Sequence, residues 1–295
     1  MSKKYQKRDI YQEITDKILD RLEHVKSGGP MPWVRLAAQG TPRNAVTKKY
    51  YQGTNIFVLW MEQDEKGYSS NEWATFKQWQ DLGATVKKGE RATFGIYFNT
   101  FDKEDTETGE TKKVPFAKSF ALFNAEQVDG YEIAAPVELT ETERLEHADN
   151  FVKSTGAVIE YGGDTACYIP SVDRINMPTP NQFHTTSDFY GVLFHELGHW
   201  TGNKKRLARD MSGRFGDEQY AAEELVAELT AALLCGVHSI DAEPRDDHAK
   251  YIKSWIKVLK NDKRAFITAS SYAQKAADFL LDNSVMLQTA AGEVA

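Results

Sequence analysis

The spacing of apolar positions divides the chain into a mixed first half and a mostly helical second half. Ile10, Ile14, Ile18, Leu19 and Leu22 recur every three or four residues with charges between them, which predicts an amphipathic helix stopped at Gly28-Gly29-Pro30. A loop-rich stretch over 31–55 follows, then helices over Ile56–Glu62 and Trp73–Leu82, the second ended at Gly83. Val86–Lys88 reads as a short strand. Alternation over Ala92–Phe101 and Val114–Phe123, on either side of the polar run DKEDTETGETKK, predicts an antiparallel hairpin. The periodicity lapses at 133–142, where Pro136 interrupts it and a Thr-rich run caps a helix over Glu141–Ser154. Val158–Tyr161 and Thr165–Ile169 read as a hairpin turned at Gly162-Gly163-Asp164, with another short strand at Arg174–Met177. From Ser187 onward the period is helical, over 187–200, 217–235, 244–260 and 263–283. The expectation is an α+β chain of two domains, 1–132 and 143–295, joined by a linker at 133–142. The second domain is expected to be mostly helical with a small antiparallel sheet.

Composition sharpens this picture in four places. At 295 residues, 41% hydrophobic and 27% charged, the chain is neither disordered nor fibrous and exceeds what one small core needs. The longest apolar runs are a few residues and MSKKYQKRDI has no apolar stretch, so neither a membrane span nor a signal peptide is expected. Two cysteines, Cys167 and Cys235, cannot build a disulfide framework or a Cys-rich zinc site, and a cytoplasmic home is expected. The net charge of −7 is unevenly shared: residues 1–135 hold 20 basic against 19 acidic residues, the rest 16 against 24. Differently charged halves suggest different partners.

The strongest chemical signal is His195-Glu196-Leu197-Gly198-His199. On a helix, positions i and i+4 lie one turn apart on one face, so both imidazoles reach one metal ion, with Glu196 beside them as general base. A catalytic zinc site needs a third protein ligand and keeps one position open. The helix YAAEELVAELTAALL at 220–234 supplies it: Glu224 as ligand and Glu228, one turn on, behind a histidine, with Glu223 or Glu228 as alternative ligands. Zn2+ is the expected cofactor, with another divalent metal such as Mn2+ as the alternative. It would lower the pKa of its water to about 7 and polarise a carbonyl, which is peptide-bond hydrolysis. Oxyanion stabilisers could come from Tyr168, His184, Tyr220 or His238, and the strand around Tyr168 could pair with an extended substrate.

The first half offers another pattern. Arg43, Lys48, Lys49, Lys77, Lys87, Lys88 and Arg91 interleave with Trp33, Tyr50, Tyr51, Trp73, Phe76 and Trp79, and Asn44, Gln52 and Asn55 add amides. Aromatic faces that stack unpaired bases beside cations that follow phosphates are what single-strand binding needs. An aromatic core with a solvated basic rim is the competing reading.

Several separated motifs in order give a resemblance over nearly the whole chain. They are Pro42-Arg43-Asn44-Ala45, Tyr51 with Gly53 and Asn55, WATFKQW at 73–79, LGATVKKGER at 82–91, and Phe123-Asn124 with Gln127. The second half adds Tyr168-Ile169-Pro170 with Asp173 and Ile175, Met177-Pro178, HELGHWTG at 195–202, Arg206-Leu207 and Glu224–Leu229. In these the chain resembles the ArdC-type antirestriction proteins of conjugative plasmids. The resemblance implies a domain that binds single-stranded DNA, a zincin-like metallopeptidase domain, and protection of incoming DNA from host restriction. Single-stranded DNA is the expected partner, a protein of the host restriction machinery is a candidate second one, and no membrane is expected. Two positions depart from it: Lys48 stands where relatives usually have Gly, and Gln52 where they usually have Arg. The alternative is a DNA-coating protein whose zincin-like domain is a metal-stabilised scaffold. A metallohydrolase acting on the nucleic acid ranks last, since a second carboxylate cluster for two-metal chemistry is missing.

Overall fold

The structure is a computed structural model that describes residues 9–26, 33, 37, 40–104, 111–133, 139–214, 217–241 and 248–282. The chain forms two compact units, one of Met1–Asp16 with Pro42–Ile133 and the other of Lys17–Thr41 with Ala134–Ala295. The expected first domain, 1–132, is therefore not continuous, because residues 17–41 belong to the second unit. Trp33 shows why: it is buried in that unit, with its ring 6.4 Å from Trp255 and 6.1 Å from Phe266. The Gly28-Gly29-Pro30 stop, the hairpin tip at 105–110 and the linker centre at 134–138 lie outside the described residues.

Helix α1 (Ile10–Lys26) buries Ile14, Ile18 and Leu22, the expected apolar stripe. In the first unit follow β1 (Arg43–Asn44), α2 (Thr54–Lys66), β2 (Glu72–Ala74), α3 (Phe76–Asp81), β3 (Thr85–Val86), β4 (Thr93–Glu104), β5 (Thr111–Asn124) and β6 (Val128–Asp129). One sheet runs in the order β1-β2-β5-β4, with β1 parallel to β2 and the other pairs antiparallel; β3 and β6 form a separate pair. The hairpin of β4 and β5 is as expected, registered from Thr93↔Leu122 to Glu104↔Thr111. The helix expected over Trp73–Leu82 is instead a strand and a shorter helix. Trp73 pairs with Asn124 in the sheet, and Thr75 starts α3 with a capping box in which its side chain accepts the Gln78 N–H.

The second unit contains α4 (Glu141–Ser154), β7 (Val158–Tyr161), β8 (Cys167–Ile169), β9 (Arg174–Met177), α5 (Thr186–Thr201), α6 (Glu218–His238), α7 (His248–Asn261) and α8 (Ala265–Asp282). Thr140 and Glu143 form the expected capping box of α4. Strands β7 and β8 are not the expected hairpin, because β9 lies between them, parallel to β7 and antiparallel to β8. The order follows from burial: β9 carries the fully buried Ile175 and Met177, and a strand buried this way belongs in the middle. β8 is left at the sheet edge. Helix α5 is capped at Thr185, whose side chain accepts the Asp188 N–H, and is closed at Gly202.

Helices α5 and α6 cross closely at Gly198. A Cβ there would stand 3.0 Å from Ala227 Cα and 3.3 Å from its carbonyl oxygen, so glycine sets how near α6 can come. Among the described residues no helix is long and apolar enough to cross a membrane.

Candidate metal centre

The close crossing brings Glu224 of α6 against the two histidines of α5. Its carboxylate oxygens lie 3.4 Å from His195 Nε2 and 3.5 Å from His199 Nε2. One ligand atom from each of the three falls within 4.8 Å of the others, and all three residues are deeply enclosed. Burial works against charge on Glu224 and His199. The hydrogen bonds of Glu224 with His195 and His199 outweigh it and hold the Glu224 carboxyl well below the usual range. Those of His199 with Glu223 and Glu224 push its ring up to about 10. Two imidazole nitrogens and a carboxylate oxygen in a pocket that favours positive charge are a donor set suited to a divalent cation.

Each histidine has a glutamate beside its other nitrogen. His199 Nδ1 lies 3.2 Å from Glu223 Oε1, and Arg209 holds that carboxylate with two bonds, Nε to Oε2 at 3.0 Å and a terminal nitrogen to Oε1 at 2.8 Å. Arg209 also donates to the Gly198 carbonyl at 2.7 Å and to Thr201 Oγ1 at 2.8 Å, tying the loop after α5 to the helix. His195 Nδ1 lies 3.5 Å from Glu228 Oε2. Glu223 thus stands behind His199 rather than among the three converging ligand atoms, and Glu228 lies beside His195 without a hydrogen bond to its Nδ1. Arg209 went unforeseen because nothing in residue spacing links it to α6.

Glu196 is buried beside them, and its Oε2 accepts the backbone N–H of Tyr168 at 2.8 Å. The edge strand is itself clamped. The Tyr168 hydroxyl donates to Asp173 Oδ1 at 2.9 Å and accepts from Asn203 at 2.7 Å, while Arg206 pairs with Asp173 and lies over the Trp200 ring. A cleft of about 390 Å3 runs over the trio, lined by β8, Glu196, Tyr220 and Tyr251 among others.

The four oxyanion candidates separate. Tyr220 lines the cleft, 3.4 Å from the Tyr251 hydroxyl, and burial together with Tyr251 and Glu224 raises its pKa, leaving a neutral phenol. Tyr168 also lines the cleft, but its hydroxyl is engaged by Asp173, Asn203 and Arg206. His184 is exposed and His238 is packed between Phe151 and Phe194, and neither is in the cleft lining. Those two candidates are not supported, His238 because its ring is enclosed by aromatic side chains. Tyr251 is the neighbour that residue spacing did not reveal.

Residues 8–123 match the family model of the N-terminal domain of anti-restriction factor ArdC, and residues 146–272 match that of a zincin-like metallopeptidase. Among solved structures, antirestriction ArdC from the R388 plasmid superposes in its metal-free form with a TM-score of 0.79 at 37% identity, covering 94% of this chain and 98% of that one. Its Mn(II)-bound form gives 0.77 at 35%, with 94% and 99% covered. The chain belongs to the ArdC-type antirestriction family. Protein y4eC of Sinorhizobium fredii is 41% identical over 92% of this chain and 91% of its own length. A DNA primase, TraC of Escherichia coli, is 34% identical over 93% of this chain, which spans only 27% of that protein.

The first unit of this ArdC-type chain sorts its aromatic and basic residues into core and surface. Trp73 and Trp79 are fully buried, so neither can stack a base, and Trp33 lies in the other unit. Asn55 clamps β4, exchanging hydrogen bonds with the Ile96 backbone at 2.9 and 2.7 Å. Asn44 accepts the N–H groups of Val46 and Thr47 at 3.0 Å, and the Tyr51 hydroxyl donates to the Trp73 carbonyl at 3.3 Å. Arg43 and Lys48 both pair with buried Glu72, at 3.0 and 2.9 Å. Lys48 sits at φ 56°, a left-handed conformation that glycine adopts more readily than lysine. Lys49, Phe76, Lys77, Lys87, Lys88 and Arg91 are exposed, as is Tyr50. Tyr97 and Lys118, register partners on β4 and β5, add an exposed aromatic and cation that the motif reading overlooked.

Proposed function

We propose that this ArdC-type protein binds single-stranded DNA through its first unit and hydrolyses a peptide bond at the His195, His199 and Glu224 site, protecting incoming DNA from host restriction. The carrying observation is the Glu224 carboxylate set between the two Nε2 atoms, with Glu196 on the cleft side of the same helix turn. His195, His199 and Glu224 would hold Zn2+ or, as in the Mn(II)-bound ArdC structure, Mn2+. A bound divalent cation supplies Lewis acidity, polarising a carbonyl and easing deprotonation of water. Glu196, with Oε2 held by the Tyr168 N–H, would accept a proton from water and return it to the leaving amine. Strand β8, at the sheet edge and lining the cleft, offers backbone groups to an extended peptide, and Tyr220 donates to the developing oxyanion.

Exposed Tyr50, Phe76 and Tyr97, with Lys49, Lys77, Lys87, Lys88 and Arg91, supply the stacking faces and cations for a single strand. Kinship with a protein named as a DNA primase is consistent with a nucleic-acid partner. Glu196→Gln decides between this reading and the DNA-coating alternative. It is expected to keep metal and DNA binding while losing proteolysis and antirestriction in a conjugation assay. Antirestriction left intact would make the zincin-like unit a scaffold.

A further inference from the structure

Trp33 stands outside both candidate sites, yet it reaches the metal centre from a part of the chain 195 residues away from its partner. Its indole Nε1–H donates to Glu228 Oε1 at 3.3 Å, and the other oxygen of that carboxylate lies 3.5 Å from His195 Nδ1. Every member of this relay is buried: Trp33 is 1% exposed and the His195 and Glu228 side chains 4% each. Trp33 lies within the residues matched by the ArdC N-terminal model and before those matched by the metallopeptidase model, but it packs in the second unit.

A carboxylate that backs a metal-binding histidine fixes the ring's orientation and raises its basicity, and such carboxylates are themselves held by hydrogen bonds. His199 has this arrangement complete within its own surroundings, through Glu223 and Arg209. For His195 the matching donor comes from residue 33. We propose that Trp33 is a positioning residue of the metal centre: its indole N–H fixes Glu228 and through it His195, so the site's affinity for metal depends on a residue from the N-terminal part of the chain. This rests on the assignment of His195, His199 and Glu224 as metal ligands.

Phenylalanine keeps an aromatic ring against Trp255 and Phe266 but lacks the N–H. In the full-length protein, Trp33→Phe is expected to weaken Zn2+ binding about 10-fold, read by competition with a chromogenic chelator. Phe266→Leu disturbs the same packing without touching the donor, and is expected to lower Tm while leaving the Zn2+ affinity unchanged. On a Glu228→Gln background, Trp33→Phe is expected to add nothing further. A Trp33→Phe affinity within twofold of wild type, or an undiminished loss on the Glu228→Gln background, would overturn the proposal while leaving the metal centre standing. Wild-type protein that took up no Zn2+ would instead remove the metal centre itself. Because Trp33 is a core residue, its indole resonance in the wild-type chain gives a test that needs no variant. It should shift on addition of Zn2+, and an unmoved resonance would also overturn the relay.

Discussion

Two buried glutamates, one in each unit, show what separates a finished electrostatic knot from a binding site. Glu72 in β2 is met by the protein's own cations: Arg43 and Lys48 at 3.0 and 2.9 Å, with the Tyr131 hydroxyl donating at 2.7 Å. Burial opposes its charge, but the bonds from Tyr131 and Lys48 and the field of Arg43 hold its carboxyl below the usual range. Glu224 in α6 is equally enclosed, yet its partners are two imidazoles whose nitrogens also suit a metal ion. Arginine and lysine keep their charge and close the first knot, whereas histidine can give up its proton to present a lone pair and so leaves the second open to a cation.

The comparison breaks most directly by removing each carboxylate. Glu224→Ala should abolish stoichiometric uptake of Zn2+ or Mn2+, measured by elemental analysis after dialysis. Glu72→Gln should leave uptake intact and cost about 1–3 kcal/mol of stability in denaturant titration, since the flanking cations are partly solvated. Metal lost from Glu72→Gln, or kept by Glu224→Ala, would erase the distinction.

His238 supplies a third way to bury a titratable group, with neither cation nor counter-charge. Its ring lies 4.5 Å from Phe151 and 5.7 Å from Phe194, and Nε2 has no hydrogen-bond partner among the described residues. Burial, with His147 nearby, pushes its pKa down to about 4. Above the ordinary value of about 6.5, both folded and unfolded chains hold a neutral ring and stability is full. As pH falls from there towards 4 the unfolded chain takes the proton first, so stability should decline by up to about 3 kcal/mol. His238→Leu should flatten that limb between pH 6.5 and 4, followed by Tm against pH. Any loss owed to Glu72 comes lower, as pH falls below the usual carboxylate range, so the two limbs separate.

What could be read from the residues alone follows the range of the interactions. His195, Glu196 and His199 lie within one helical turn, and Glu224 with Glu228 within another, so spacing reported them directly. The capping box at Thr140 was equally local, and the one at Thr75 was present as Thr75 and Gln78 but was overridden by the helical look of WATFKQW. The insertion of β9 between β7 and β8, the transfer of residues 17–41 to the second unit, and the Trp33 bond to Glu228 depend on contacts far apart in sequence. Trp73 and Trp79 failed as base-stacking residues for a related reason, since an aromatic beside lysines suits either a core or a binding face until burial decides.

The smallest expected effect tests whether a cation engaged in a closed knot is still available to a phosphate. Lys48 makes an ion pair with Glu72 whose own end is half exposed, worth about 0–1 kcal/mol. It also holds φ 56°, a conformation costing a non-glycine residue about 1–2 kcal/mol. Lys48→Gly exchanges one for the other, and because Arg43 still faces Glu72, stability should change by no more than about 1 kcal/mol. Exposed Lys88 is different. If it contacts a phosphate, Lys88→Ala should lower the slope of log affinity against log salt for single-stranded DNA by about 0.7, and Lys48→Gly should lower it by less. Equal losses from the two variants would mean that Lys48 leaves Glu72 when DNA binds, and that the first knot opens as the second does.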